Sequence, residues 1–447
     1  LPNLKKNTFH TSGILNFSSG LRVSLFFLLV FQGISWAQPP SYEIQFHTNK
    51  LHGKLDYSYL KDIGIDTVIY RVFLDDEKEG GLYFSNTQFK IIDLSLDKLI
   101  EEYDFKKVKL CAWMIARKFN WLDAPRFQDW QYENGKRRIT RKFDIFNPDA
   151  VQIIIQVYKE LASMKLDSIL IQDDFSLRFN EGFSNWGKAQ FSKQTGELPR
   201  EELMIQKNTP YNRSWNRVKA TQLARVLDSI VTNCKSVNTA VKIGMNIYYE
   251  TPLFPDRAEA WYGQNLDYIL ETGVDYIYLM AYHRQMKDEL KLSEAETRDT
   301  FRQMVEKAYE KCKEKLIVKI QIRDWKTSER IPSTEIQDYL DLIPAGVRRI
   351  CFTPVTLDSD DFDYVARIIR SARKIAASGG QNPFCKKGFA FPKTFNNVYN
   401  KEFLKAQAVT DGVFRVRTGL YSNQKFLEVQ EPFYKKVPGL RSQARSR

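Results

Sequence analysis

From Tyr42 to Ala377 the chain repeats one unit: a short apolar run rich in β-branched residues, a polar turn, and an amphipathic segment of helical length. The strand-like runs are Tyr42–His47, Thr67–Phe73, Val108–Ile115, Ser168–Gln172, Val241–Tyr248, Tyr276–Ala281, Leu316–Ile322 and Arg349–Pro354. Helical segments are expected at Asp93–Tyr103, Ala150–Met164, Ser214–Lys235, Ala258–Thr272, Ala295–Lys313, Ser333–Leu342 and Asp361–Ala377. Strand and helix in alternation imply a parallel sheet, and eight strands are what a closed barrel requires. The expected fold is therefore α/β, a (β/α)8 TIM-type barrel over residues 41–377. Within Ser214–Lys235 the stripe Val218, Leu223, Val226, Leu227 and Ile230 is read as the face that packs on the barrel.

In such a barrel the chemistry sits just beyond the carboxyl ends of the strands. The fourth run stops abruptly at Asp173-Asp174. Adjacent carboxylates disfavour each other's ionisation and raise at least one pKa, which a fold tolerates where it needs an acid. The alternative is that one of the pair merely caps the next helix. Other strand ends carry Asp75 and Tyr83, Trp113 and Trp121, Tyr249 and Glu250, Tyr282 and His283, and Asp324 and Trp325. Carboxylates interleaved with Trp and Tyr describe a carbohydrate site, where aromatic faces stack on sugar rings and acids act on the glycosidic bond. Asp173, Asp174 and Glu250 are the catalytic candidates. Asp75, Tyr83, Trp113, Trp121, Tyr249, Trp261, Tyr282, His283, Asp324 and Trp325 are the substrate-binding candidates. Asp75 and Asp324 lie at the same level as Glu250 and are alternatives for the second catalytic group. The surplus carboxylates of these loops would suit a cationic ligand.

The formal charge of +13 belongs to the two ends. Lys and Arg outnumber Asp and Glu by three to none in residues 1–40 and by thirteen to four in residues 378–447, which leaves 51 against 50 between them. A nearly neutral main domain speaks against nucleic acid as partner. Arg22, the apolar run Val23–Phe31 and the small residues of Ser35-Trp36-Ala37 have the pattern of a secretory signal, so residues 1–37 are expected to be a signal peptide with an atypical upstream extension. A mature chain starting near Gln38 would be secreted or periplasmic. The basic segment 378–447 is expected to be a tail or small appendage capable of weak association with anionic surfaces or membrane. Five cysteines show no metal-type spacing, and His47, His52 and His283 offer no pair three or four residues apart. No metal or cofactor is expected, and the protein is read as a monomer.

An ordered set of segments carries a resemblance over residues 50–377: Leu60 to Val68, Gly81 to Asn86, Ala112-Trp113-Met114, Phe146-Asn147-Pro148, Asp173-Asp174, Glu259-Ala260-Trp261-Tyr262, Met280-Ala281 and Asp324-Trp325. It resembles the C-terminal glycoside-hydrolase-like domain of the PgaB family of poly-β-1,6-N-acetylglucosamine N-deacetylases. The resemblance implies a barrel that cleaves partly deacetylated poly-β-1,6-N-acetylglucosamine of biofilm matrix, endo-acting, with an essential acid in the Asp173-Asp174 pair. Gln172 stands where that family shows His, and Tyr282-His283-Arg284-Gln285-Met286 differs from the family's proline and downstream Glu. The family's deacetylase domain has no counterpart in residues 1–447, so deacetylation is not expected of this chain. Two alternatives stay open: a barrel that binds carbohydrate without turnover, and a glycosidase acting on another hexosamine-containing polysaccharide.

Overall fold

The structure, a computed structural model, describes residues 40–48, 55–356 and 359–377. The expected signal segment and the basic tail lie outside them. Eight parallel strands close into a barrel: β1 (Ser41–Phe46), β2 (Ile65–Arg71), β3 (Lys109–Met114), β4 (Ser168–Ile171), β5 (Lys242–Ile247), β6 (Tyr276–Met280), β7 (Leu316–Gln321) and β8 (Arg349–Val355). Each strand pairs with its sequence neighbours, and β1 pairs with β8 to complete the ring.

Alternation along β1 shows how the sequence divides between the two sides of the wall. Tyr42, Ile44 and Phe46 face the helical shell, Tyr42 stacking on Phe352 and Phe46 packing against Phe362. Glu43 and Gln45 point inward. The inner wall is polar to an unusual degree for a barrel core, with Glu43, Asn246, Lys319 and Thr353 all buried. Their partners come from other strands: Arg349 pairs with Glu43 at 2.6 Å, the Tyr278 hydroxyl donates to the same carboxylate at 3.0 Å, and Lys319 donates to Asn246 at 2.8 Å.

Helix limits follow local chemistry. Asp56 caps Tyr57–Ile63 by accepting from the Tyr59 amide, and Gly64, at φ 94°, ends it. Ser293 and Glu296 form a reciprocal capping box at the start of Glu294–Cys312. The helix expected over Ala258–Thr272 is two helices, Pro255–Tyr262 and Leu266–Glu271. Gly263 breaks it at φ 64°, and the Asn265 side chain caps the second piece.

The loop after β3 carries an element absent from the sequence expectation, a hairpin of Gln128–Glu133 and Lys136–Phe143. Its turn is Asn134-Gly135, both at positive φ, which matches the twist of paired strands. A buried ion network fastens this hairpin to the barrel. Arg117 pairs with Asp129 at 2.8 Å and with Glu181 at 3.1 Å, while Lys142 reaches Glu181 at 2.5 Å. Burial alone would raise the Glu181 pKa, but Lys142 and Arg117 bring it down to about 2. The network joins the loops after β3 and β4, so it holds the surroundings of Asp173-Asp174 in register. From the far side, the Lys219 ammonium on Pro210–Val237 donates to the carbonyls of Arg178 and Ala260, pinning the loops after β4 and β5.

Candidate active site

Strand β4 ends at Ile171, and the chain turns at Asp173-Asp174, so the two carboxyl groups separate. Asp174 points back to the loop after β3. Its oxygens accept from the backbone amides of Ala116 at 3.1 Å, Arg117 at 2.7 Å and Lys118 at 2.7 Å. Burial nevertheless lifts its pKa to about 6 against the pull of those amides. With its acceptor positions committed to three peptide N–H groups, Asp174 acts as a strut of the loop.

Asp173 instead lines a cavity of about 40 Å³ over the carboxyl ends of the strands, with Gln45, His47, Trp113, Tyr248, Tyr249 and Lys319 among the other walls. Met280, Tyr282 and Gln285 complete the rim. The Tyr248 hydroxyl donates to the Asp173 carbonyl at 2.9 Å, which fixes the turn. Burial raises the Asp173 pKa, and the positive charges of Lys319, Lys118 and Arg178 oppose it. His47 packs tilted against Trp113, with centroids 4.9 Å apart, and its Nε2 lies 3.2 Å from the Thr353 hydroxyl. Burial first, then Arg71 and Lys319, depress its pKa to about 3, so it is neutral.

Of the sequence candidates, the cavity gathers Asp173, Trp113, Tyr249 and Tyr282. Glu250 is fully buried outside it and accepts from the Tyr262 hydroxyl at 3.2 Å, so it does not share a space with Asp173. Asp75 is held by Lys118 at 2.8 Å and by the Asn120 amide at 2.5 Å. Asp324 pairs with Arg284 at 3.0 Å, and His283 stacks on Tyr339 while contacting Glu335 at 2.8 Å. The expected surplus of carboxylates is corrected by these pairings, because Asp75 and Asp324 each meet a cation. Trp121 packs edge-on against Phe119, Tyr83 is buried, and Trp325 lies beneath the Lys326 ammonium. Trp261 forms a separate aromatic step with Phe179, centroids 5.3 Å apart, beside the Lys207 ammonium.

Sequence reasoning missed Gln45, His47 and Lys319. Each follows from the inward alternation of β1 or β7, and a charged residue inside an otherwise apolar strand was the available signal for Lys319. A larger hollow of about 500 Å³, walled by Phe89, Phe127 and Phe143, lies among none of these candidates. Among the described residues, no group of three or more His, Cys, Asp or Glu could hold a metal ion.

A closed parallel barrel with an acid-bearing, aromatic-walled cavity over its strand ends is the architecture of barrel glycosidases. The chain belongs to hypothetical glycosyl hydrolase family 13, whose model matches residues 50–353. Among solved structures it is similar to the PgaB (BpsB) glycoside hydrolase domain from Bordetella bronchiseptica, at 19% identity and TM-score 0.58, over 76% of this chain and 98% of that one. It is also similar to a polyextremophilic β-galactosidase from the Antarctic haloarchaeon Halorubrum lacusprofundi, at 10% identity and TM-score 0.52, over 74% of this chain and 58% of the enzyme. A catalytic mutant of Gan42B, a GH42 β-galactosidase from G. stearothermophilus, matches at 11% identity and TM-score 0.53, over 75% of this chain and 57% of the enzyme. No curated protein matches the sequence.

Proposed function

We propose that the protein is a secreted or periplasmic, endo-acting glycoside hydrolase of amino-sugar polymers, with Asp173 as general acid. The substrate implied by the resemblance is partly deacetylated poly-β-1,6-N-acetylglucosamine. The observation that carries this reading is the divergence of the carboxylate pair: Asp174 is spent on three amides, whereas Asp173 faces the cavity with a pKa lifted by burial. A protonated Asp173 would deliver its proton to the glycosidic oxygen as the bond to the anomeric carbon breaks.

Among the described residues lining the cavity, Asp173 is the one carboxylate. That favours the substrate's own acetamido oxygen as the group that attacks the anomeric carbon. Water then opens the cyclic intermediate, and the Asp173 carboxylate recovers a proton from it. Sugar in the innermost position would therefore be N-acetylated, which also suits a cavity walled by Lys319 better than a free ammonium would.

A second reading, a barrel that binds carbohydrate without turnover, is favoured by the departures from the family pattern at Gln172 and at Tyr282 to Met286. The two are separated by measuring reducing ends released from several amino-sugar polymers by wild type and Asp173→Asn. Turnover by wild type, reduced by about two to four orders of magnitude in the variant, supports the hydrolase. Saturable binding of polymer with no reducing ends released by either protein supports the binding barrel.

A further inference from the structure

The inner wall of the barrel holds a chain of polar groups that ends at the cavity. Lys319 on β7 is 2% exposed, and its ammonium donates to the Asn246 side-chain oxygen on β5 at 2.8 Å. Asn246, 1% exposed, donates in turn to the carbonyl of Ile171 at 3.0 Å, the last residue of β4. Two residues further on is Asp173, and Lys319 and Asp173 line the same cavity. Burial of a lysine ammonium is costly unless something negative faces it. Burial lowers the Lys319 pKa, and the acidic groups that oppose that shift are Cys351, Asp173, Cys111 and Glu43. Glu43 already pairs with Arg349 at 2.6 Å, and both thiol pKa values are raised, Cys111 to about 12, so neither cysteine supplies charge near neutrality. Asp173 is thus the counter-charge available to Lys319.

We propose that Lys319, held by Asn246, is a positioning residue that stabilises the carboxylate left on Asp173 after proton transfer, and so sets the pH at which Asp173 works as an acid. The proposal rests on the assignment of Asp173 as the acid. As the proton leaves, negative charge grows on Asp173 in the cavity it shares with an ammonium held by Asn246, an interaction stronger in the transition state than in the ground state. The other groups facing Asp173 do not substitute for it. Lys118 is engaged by Asp75 at 2.8 Å, Arg178 acts on Asp173 less than Lys319 does, Asp174 is its like-charged neighbour, Tyr248 donates to its backbone, and His47 is neutral.

The sign is fixed by electrostatics. Removing a positive charge near a carboxylate makes it harder to ionise, so its titration moves to higher pH, by no more than the about 1 to 3 pH units that an opposite charge 4–6 Å away commands. The alkaline limb of kcat/KM, which reports loss of the protonated acid, should move upward by that amount in Lys319→Met and Lys319→Gln, while kcat falls. Gln retains a donor for Asn246, so it separates loss of charge from loss of the hydrogen bond. Lys319→Arg keeps the charge and should keep the limb in place. In parallel, carboxyl 13C NMR of the full chain labelled at aspartate, with Asp173 assigned through Asp173→Asn, should show the same displacement without need of turnover. An unmoved limb and an unmoved Asp173 titration in both neutral variants would overturn the proposal. So would unfolding of both, since the charge would then hold the barrel and not the acid. If Asp173→Asn keeps wild-type turnover, it is the assignment of Asp173 that fails, and the NMR titration still reports on Lys319.

Discussion

Two neighbouring aspartates meet different surroundings because one residue of backbone geometry separates them. Had β4 run on through Asp173 and Asp174, alternation would have sent one side chain inward and the other out into the helical shell. The strand stops at Ile171, so Asp174 swings to the amides of residues 116–118 and Asp173 to the cavity. Nothing in the sequence says which aspartate takes which direction, since it depends on where the strand ends to within a residue. The pair itself was legible; the alternative, that one of them caps the following helix, is not met, since Asp174 accepts from amides of the loop after β3 and Ser184 caps the next helix. Asp174→Asn should therefore behave as a structural change. An amide offers one acceptor oxygen where the carboxylate offers two, and buried N–H groups left unpaired cost about 1–3 kcal/mol each. Urea titration should show a loss of about 2 kcal/mol, with Asp173→Asn much closer to wild type. Equal stability of Asp174→Asn and wild type would show that the strut is unnecessary.

The elements read from the sequence with least success are those whose patterning is set by tertiary partners. The strand Lys136–Phe143 reads KRRITRKF, mostly exposed and charged, and so has no apolar alternation to announce it. Its one local signal was Asn134-Gly135, a strong hairpin turn. What keeps the hairpin on the barrel is the network around Glu181, made by residues from two separate strand-to-helix connections that only the fold brings together. Glu181→Gln breaks a buried ion network, and such a break costs about 3–5 kcal/mol. The pH dependence has a defined sign. The folded-state pKa of Glu181, about 2, lies below its ordinary 4.5, so its contribution is complete above pH 4.5 and is lost as pH falls toward about 2. Thermal melts of wild type and Glu181→Gln should differ most near neutrality and converge between those two values. A gap between the two melts that stays constant down to pH 2 would mean that the ion pairs add no stability.

At the scale of the whole molecule, the eight-stranded barrel was legible because parallel strands buried on both faces leave short apolar runs, and eight runs with helices between them admit few other arrangements. The polar inner wall was not legible, because a lone Glu, Asn or Lys within such a run looks like an interruption until alternation is known. Those residues nonetheless bear on how the ring closes. The first and last strands, 306 residues apart at His47 and Thr353, meet along β1 and β8, and Glu43 sits at that seam between Arg349 of β8 and Tyr278 of β6. A closed ring has no free edge at which to begin opening, so loss of the seam should be felt by every strand at once. Glu43→Ala leaves the largely covered Arg349, its side chain 13% exposed, without its fully buried partner and should cost up to about 3–5 kcal/mol, lowering the temperature of a single cooperative transition. Glu43→Gln, which still accepts from Tyr278, should cost less. Circular dichroism and tryptophan fluorescence followed through the same melt test both statements: coincident curves displaced together support a seam that commits the whole barrel, whereas an early fluorescence change with most secondary structure retained would show that β1 and β8 part while the other strands hold.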